Sequence, residues 1–156
     1  EEDIKIYFPE PISTAFILLK NTVRRKNVPI DHPRCNDLAN KLIEETIDKW
    51  LYNTEIMSSI FAESSIQELV LISRYYLQFS GSNILRDFQK LIPSHARFFR
   101  SLMFHSINPS EMMADKIYHG QYNKILLRTI LERIVITRYD VDMPIIKRYL
   151  EDKYDK

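Results

Sequence analysis

His32 and Cys35 stand three residues apart, and a histidine beside a cysteine is the one pairing in this chain that suggests metal binding or a thiol nucleophile. No third ligand or orienting group follows nearby, so that chemistry is not expected. His95, His105 and His119 show no metal-ligand spacing either. The sequence has two glycines, Gly81 and Gly120, too few and too far apart for a phosphate-cradling loop or a nucleophile elbow. Asp140 and Asp142 follow Arg133 and Arg138, a grouping suited first to helix capping and ion pairing and only second to cation binding. Thr137 and Asp140 also have the spacing of a capping box. Arg24-Arg25-Lys26 offers cations to phosphate head groups, although a solvated connector is the more economical reading of so short a run. Catalysis is not expected from this inventory.

Composition narrows the class further. The 156 residues carry 22 basic and 21 acidic side chains, a net charge of +1, so no broad positive field points to nucleic acid. Hydrophobic content of 45% with 28% charged residues is that of an ordinary folded domain. The scarcity of glycine argues against an all-β design built on tight turns. One cysteine excludes an internal disulfide and suits a reducing compartment. No apolar run approaches a membrane span, and Glu1-Glu2-Asp3 is unlike a secretory signal, so a cytoplasmic location with peripheral membrane association is the expectation.

Helical periodicity dominates the chain. Ile12, Ala15, Phe16, Leu19 and Val23 predict a helix over 11–23, followed by a proline-punctuated linker over 24–33. From Asn36 a run of helical segments extends to His105. Within it, Ser65 and Glu68 form a capping-box signature and Gly81 marks a helix stop. Further helices are predicted near 110–119, 124–136 and 140–153.

Those segments nearly repeat. Ile60, Ser65, Leu69, Ile72, Arg74 and Tyr75 have counterparts at Ile134, Tyr139, Met143, Ile146, Arg148 and Tyr149, about 75 residues later, as expected for a stacked helical array. Upstream, Leu38-Ala39-Asn40-Lys41-Leu42-Ile43 recurs as Met113-Ala114-Asp115-Lys116-Ile117-Tyr118. Pro9 and Leu18-Leu19 match Pro93 and Leu102-Met103. The chain therefore divides into residues 1–35, the last helix of one repeat plus a linker; 36–105, a complete repeat; and 106–156, a partial one. Tyr75 and Tyr149, at matched positions, are expected to line the core.

These residues resemble the annexins. Arg133-Ile-Val-Ile-Thr-Arg138-Tyr-Asp140-Val-Asp142, Ile146-Lys147 and Lys153-Tyr154-Asp155-Lys156 look like a fourth annexin repeat, while Lys49-Trp50, Ser59-Ile60-Phe61 and Tyr76-Leu-Gln-Phe-Ser80-Gly81 look like a third. The extra length at 24–35 falls where the family's second-to-third linker would. The resemblance implies an all-α fold of repeats of about five helices in a right-handed superhelical array. It also implies calcium-dependent binding to phospholipid membrane surfaces, with cytoskeletal or other protein partners as a further option.

Family calcium sites combine glycine-rich loop carbonyls with an acidic side chain about forty residues later, because a hard cation needs several oxygen ligands. By the resemblance, that loop falls at Trp50-Leu51-Tyr52-Asn53, without glycine, and its acidic partner falls near Leu91. Calcium, the implied cofactor, is therefore expected to bind weakly or not at all there. Only Gly120, Gln121 and Asn123 retain a trace of the loop. The implied membrane face comprises 49–54, 89–94 and 119–124, with Lys49, Trp50, Leu51, Tyr52, Lys90, Leu91, Ile92 and Lys124 as contact candidates. Trp50, Leu51 and Tyr52 either enter the lipid interface or pack against Leu91 and Ile92 to fill the vacated space. Loss of the ion sites equally suits a scaffold, derived from an annexin, that binds proteins and not lipid.

Overall fold

A computed structural model describes residues 2–26, 28–120 and 124–154; side chains at 48, 50 and 124–127 lie outside that description. Among the described residues helix is the only regular secondary structure. It forms two compact units, Glu1–Ile107 and Asn108–Lys156. No helix among the described residues is long and apolar enough to cross a membrane.

The first unit opens with α1 (Glu2–Tyr7) and α2 (Ile12–Asn21). Ile12 and Ala15 enter the core, and the Phe16 ring packs 5.0 Å from that of Phe98. Helix α1 has no counterpart in the periodicity reading, since it buries nothing. The expected linker over 24–33 is shorter than predicted, because α3 (His32–Glu44) starts inside it. Asp31 explains the early start: its carboxylate accepts the Arg34 N–H at 3.0 Å, and Pro33 sits in the first turn, where its missing N–H costs nothing.

A single turn, α4 (Ile47–Trp50), precedes α5 (Thr54–Met57), which continues as a π-helical segment over Ser58–Glu63. Then comes α6 (Ile66–Ser80), entered through the predicted capping box: the Glu68 N–H donates to Ser65 Oγ at 3.2 Å and the Ser65 N–H to Glu68 Oε2 at 2.8 Å. Gly81 ends the helix with φ of +69°, the left-handed conformation that glycine adopts without a Cβ penalty. Helix α7 (Ile84–Asp87), with a short 3-10 turn after it, and α8 (Pro93–Ile107) complete the unit. Its core joins Phe61, Phe88 and Phe99, all at most 1% exposed, to Leu69 and Ile72 of α6 and to Leu38 and Leu42 of α3.

The second unit contains α9 (Pro109–Gly120), α10 (Lys124–Arg138) and α11 (Met143–Tyr154). Helix α9 packs on both α10 and α11, as α3 packs on α6. Three positions matched by the repeat are buried in both units, Ala39 with Ala114, Ile60 with Ile134, and Ile72 with Ile146, all at most 4% exposed. By contrast Leu38, Leu42 and Leu69 are buried and their counterparts Met113, Ile117 and Met143 only half-buried. The buried acids also correspond. Glu68 of the first unit faces Arg25 at 3.5 Å and Arg34 at 3.9 Å, while Asp142 of the second takes Arg138 through Nε at 2.8 Å and Nη2 at 2.5 Å.

The Thr137–Asp140 capping box does not form. Helix α10 runs through Thr137, whose hydroxyl donates back to the Arg133 carbonyl at 2.8 Å, and α11 begins only at Met143. Asp142 makes the predicted ion pair with Arg138 and also accepts from the Ser110 hydroxyl. Tyr75 and Tyr149 are both partly buried against their respective cores. The Asn108 amide donates to the Tyr149 hydroxyl at 2.8 Å.

Candidate functional site

Helices α3 and α6 run in the same direction, and the two ends of the first unit differ in chemistry. At the end where both helices start, arginines from the connecting segment are pinned to the π-helical corner. Arg24 donates to the Phe61 carbonyl at 2.7 Å, the Arg25 N–H donates to the Glu63 carbonyl at 2.8 Å, and the Arg34 guanidinium donates to the Ser59 carbonyl at 2.9 Å and to Ser64 Oγ at 3.1 Å. This corrects both readings of the basic triplet: Arg24 and Arg25 are structural clamps, and Lys26 alone of the three is exposed. Cys35 lies beside this corner, fully buried. Burial, reinforced by the nearby Glu68 carboxylate, pushes its thiol up to about 11. Such a thiol is a poor nucleophile at neutral pH. His32 is occupied elsewhere, its Nδ1 lying 3.3 Å from the Tyr75 hydroxyl.

The opposite end carries the loops that the sequence singled out. A surface pocket of about 400 Å³ opens between the end of α3, Thr46 and Ile47, Tyr76 and Ser80 of α6, and Asp87 and Lys90. Segment 42–47 thus meets Asp87 and Lys90 around this pocket, and Leu51 and Leu91 share the core beneath it. Inside the pocket the buried Tyr76 hydroxyl donates to Asp87 Oδ2 at 2.8 Å, and Lys90 Nζ donates to Asp87 Oδ1 at 2.6 Å. Burial, and then this bond to Asp87, push the Tyr76 phenol up to about 12. Burial alone would raise the Asp87 carboxyl, but hydrogen bonds from Lys90, Ser82 and Tyr76 outweigh it and hold the group below the usual carboxylate range. Both oxygens of this acid are therefore engaged within the protein. No cluster of three or more His, Cys, Asp or Glu side chains among the described residues is arranged to hold a metal.

The candidate lipid contacts separate sharply. Leu51 is 1% exposed and Leu91 7%, and both belong to the core of the first unit, so they are corrected from membrane contacts to packing residues. Tyr52 is 61% exposed and Ile92 59%. Lys49 and Lys90 are exposed beside them, with Lys90 partly neutralised by Asp87. Asn53, inside the same loop, caps α5 by accepting the Ile56 N–H at 3.2 Å, a local structural role. The side chains of Trp50 and Lys124, together with Gln121 and Asn123, lie outside the described residues. Gly120 is buried at the end of α9.

Comparison with protein-family models finds no match. Comparison with curated proteins finds none either.

Proposed function

We propose that this chain is a divergent annexin-like module that binds phospholipid surfaces peripherally, through the exposed Tyr52 and Ile92 of its first unit and the neighbouring Lys49 and Lys90. The observation supporting this reading is that two large side chains, Tyr52 and Ile92, are exposed in loops that each also expose a lysine, Lys49 and Lys90, while their neighbours Leu51 and Leu91 share one core. An amphipathic aromatic and a branched aliphatic suit the boundary between head groups and acyl chains. A lysine near an anionic surface adds about 1 kcal/mol, less for Lys90 because Asp87 already holds it. The recurring helix order and the matched buried positions support the annexin-like part of the reading.

In this reading the attachment needs no calcium, since apolar and cationic contacts take the place of an ion bridge. Co-sedimentation with phosphatidylserine-containing liposomes tests it. Pelleting is expected to persist in a calcium chelator and to weaken as salt screens the lysines. Tyr52→Ser with Ile92→Ser should weaken it at least about fivefold, the direction and scale of removing two buried apolar groups from an interface. A protein-binding scaffold is the rival, favoured by the withdrawal of Leu51 and Leu91 into the core. Absence of pelleting with and without calcium is the result the scaffold predicts, and it would end the membrane reading.

A further inference from the structure

Within the second unit, α9 and α10 enclose a groove of about 370 Å³ lined by the apolar Met113, Ile130 and Ile134, by Thr129 and Thr137, and by the exposed cations Lys116 and Arg133. That volume falls in the lower part of the range typical of small-molecule clefts, about 300–1,000 Å³. Among the described residues no carboxylate forms an ion pair with Lys116 or with Arg133. The acids closest along the helices are spoken for: Glu132 pairs with Arg128 at 2.8 Å, and Asp115 accepts from the Tyr154 hydroxyl at 2.6 Å. Partial desolvation of this exposed side chain along the groove, and then the Arg133 charge, push the Lys116 ammonium below its ordinary range. Two uncompensated cations repel each other next to an apolar trough, and an anion between them relieves that repulsion.

The first unit supplies an internal control. At a partly overlapping place α3 and α5 line a smaller pocket of about 250 Å³ with Lys41, Glu44, Glu45, Glu55 and Ile56. Lys41 corresponds to Lys116 and Ile56 to Ile130, but Glu44, Glu45 and Glu55 correspond to His119, Gly120 and Thr129, while Ser59 corresponds to Arg133. The two pockets share only the Lys41/Lys116, Glu55/Thr129 and Ile56/Ile130 positions, and at those Glu55 supplies a carboxylate in the first unit where the second has a threonine.

We propose that the groove between α9 and α10 binds a single-chain lipid carboxylate, with the acyl chain along Met113, Ile130 and Ile134 and the carboxylate between Lys116 and Arg133. The apolar stretch favours a ligand with an acyl chain over a free inorganic anion, and the paired cations select against neutral or cationic amphiphiles. A planar guanidinium offers two parallel donors to a carboxylate, and the ammonium supplies a second charge. This site does not depend on the membrane reading above, because it lies on the other unit and needs no bilayer.

The test is calorimetric titration of the whole chain with dodecanoate below its micelle concentration, compared with dodecyl maltoside and dodecyltrimethylammonium. Saturable binding of dodecanoate is expected, with both other amphiphiles at least about tenfold weaker. Lys116→Gln with Arg133→Gln should weaken dodecanoate about tenfold while leaving the thermal unfolding midpoint in place, since both side chains are on the surface. Lys41→Gln should leave binding unchanged. Equal affinity for the carboxylate and the maltoside would mark a general apolar docking face and overturn the proposal. Undiminished binding by the double variant, or no dodecanoate binding at all, would overturn it as well. Vesicle pelleting is unaffected by any of these outcomes, so the two readings fail independently.

Discussion

Replacing Phe99 with alanine is expected to remove most of the stability of the first unit. The ring is fully buried and touches three others, at centroid distances of 5.0 Å from Phe98, 5.6 Å from Phe61 and 6.3 Å from Phe88. Deleting a buried phenylalanine costs about 3–5 kcal/mol, because transfer free energy and an unfilled cavity add together. Part of that is the edge-to-face contact with Phe98, at 88° between planes, a geometry worth roughly 1 kcal/mol beyond burial. Set against a total of about 5–15 kcal/mol for a domain, the loss leaves the unit at the margin of folding. Phe79→Ala is the contrast: Phe79 is 41% exposed and only stacks on Tyr75, so about 1 kcal/mol or less is expected. Urea denaturation of both variants measures the difference. A loss under about 1 kcal/mol for Phe99→Ala would contradict its central place in the core.

Asp142→Ala should be as costly to the second unit, for a different reason. Asp142 is 7% exposed and takes both Nε and Nη2 of Arg138, while the Ser110 hydroxyl donates to it as well. Removing one partner of a buried pair strands the other charge, at about 3–5 kcal/mol. The unit has little to offset such a loss, since its described core rests on Ala114, Ile134 and Ile146. Amide hydrogen exchange resolves the outcome by region. Protection in α9 and α11 is expected to collapse, while α3 and α6 keep theirs. Asp142→Asn, which retains hydrogen bonding without the charge, is expected to lose less. Equal protection in wild type and Asp142→Ala would show that the pair carries no structural weight.

Local signals read correctly from sequence are those whose cause is local. Ser65 and Glu68 bond to each other's backbone, and Gly81 needs a positive φ where it stands, so neither depends on distant parts of the chain. The all-helical class followed from the spacing of residues such as Leu38, Leu69 and Ile72. Arg24 and Arg25 were illegible because their acceptors, the carbonyls of Phe61 and Glu63, are more than a helix away in sequence and carry no side-chain signature. The start of α3 had a visible signal, Asp31 followed by Pro33, masked by reading the prolines as linker punctuation alone. Leu51 and Tyr52 illustrate the limit most plainly. They are neighbours in one short loop, and the turn over Ile47–Trp50 sends the first inward and leaves the second outside. Composition treats them alike; only the backbone path separates them.

The central claim is that the Tyr52 and Ile92 end of the first unit, and not its arginine end, meets the lipid. Nitroxide labels at Tyr52→Cys, Ile92→Cys and, as the opposite-end control, Ile66→Cys test it directly, each in a Cys35→Ser background. Ile66 is 55% exposed at the start of α6, about 20 Å along that helix from Ser80. On adding anionic vesicles, the first two labels are expected to gain accessibility to dissolved oxygen and lose it to an aqueous nickel reagent, with Ile66 unchanged. Unaltered accessibility at all three positions, or a change at Ile66 alone, would contradict the account.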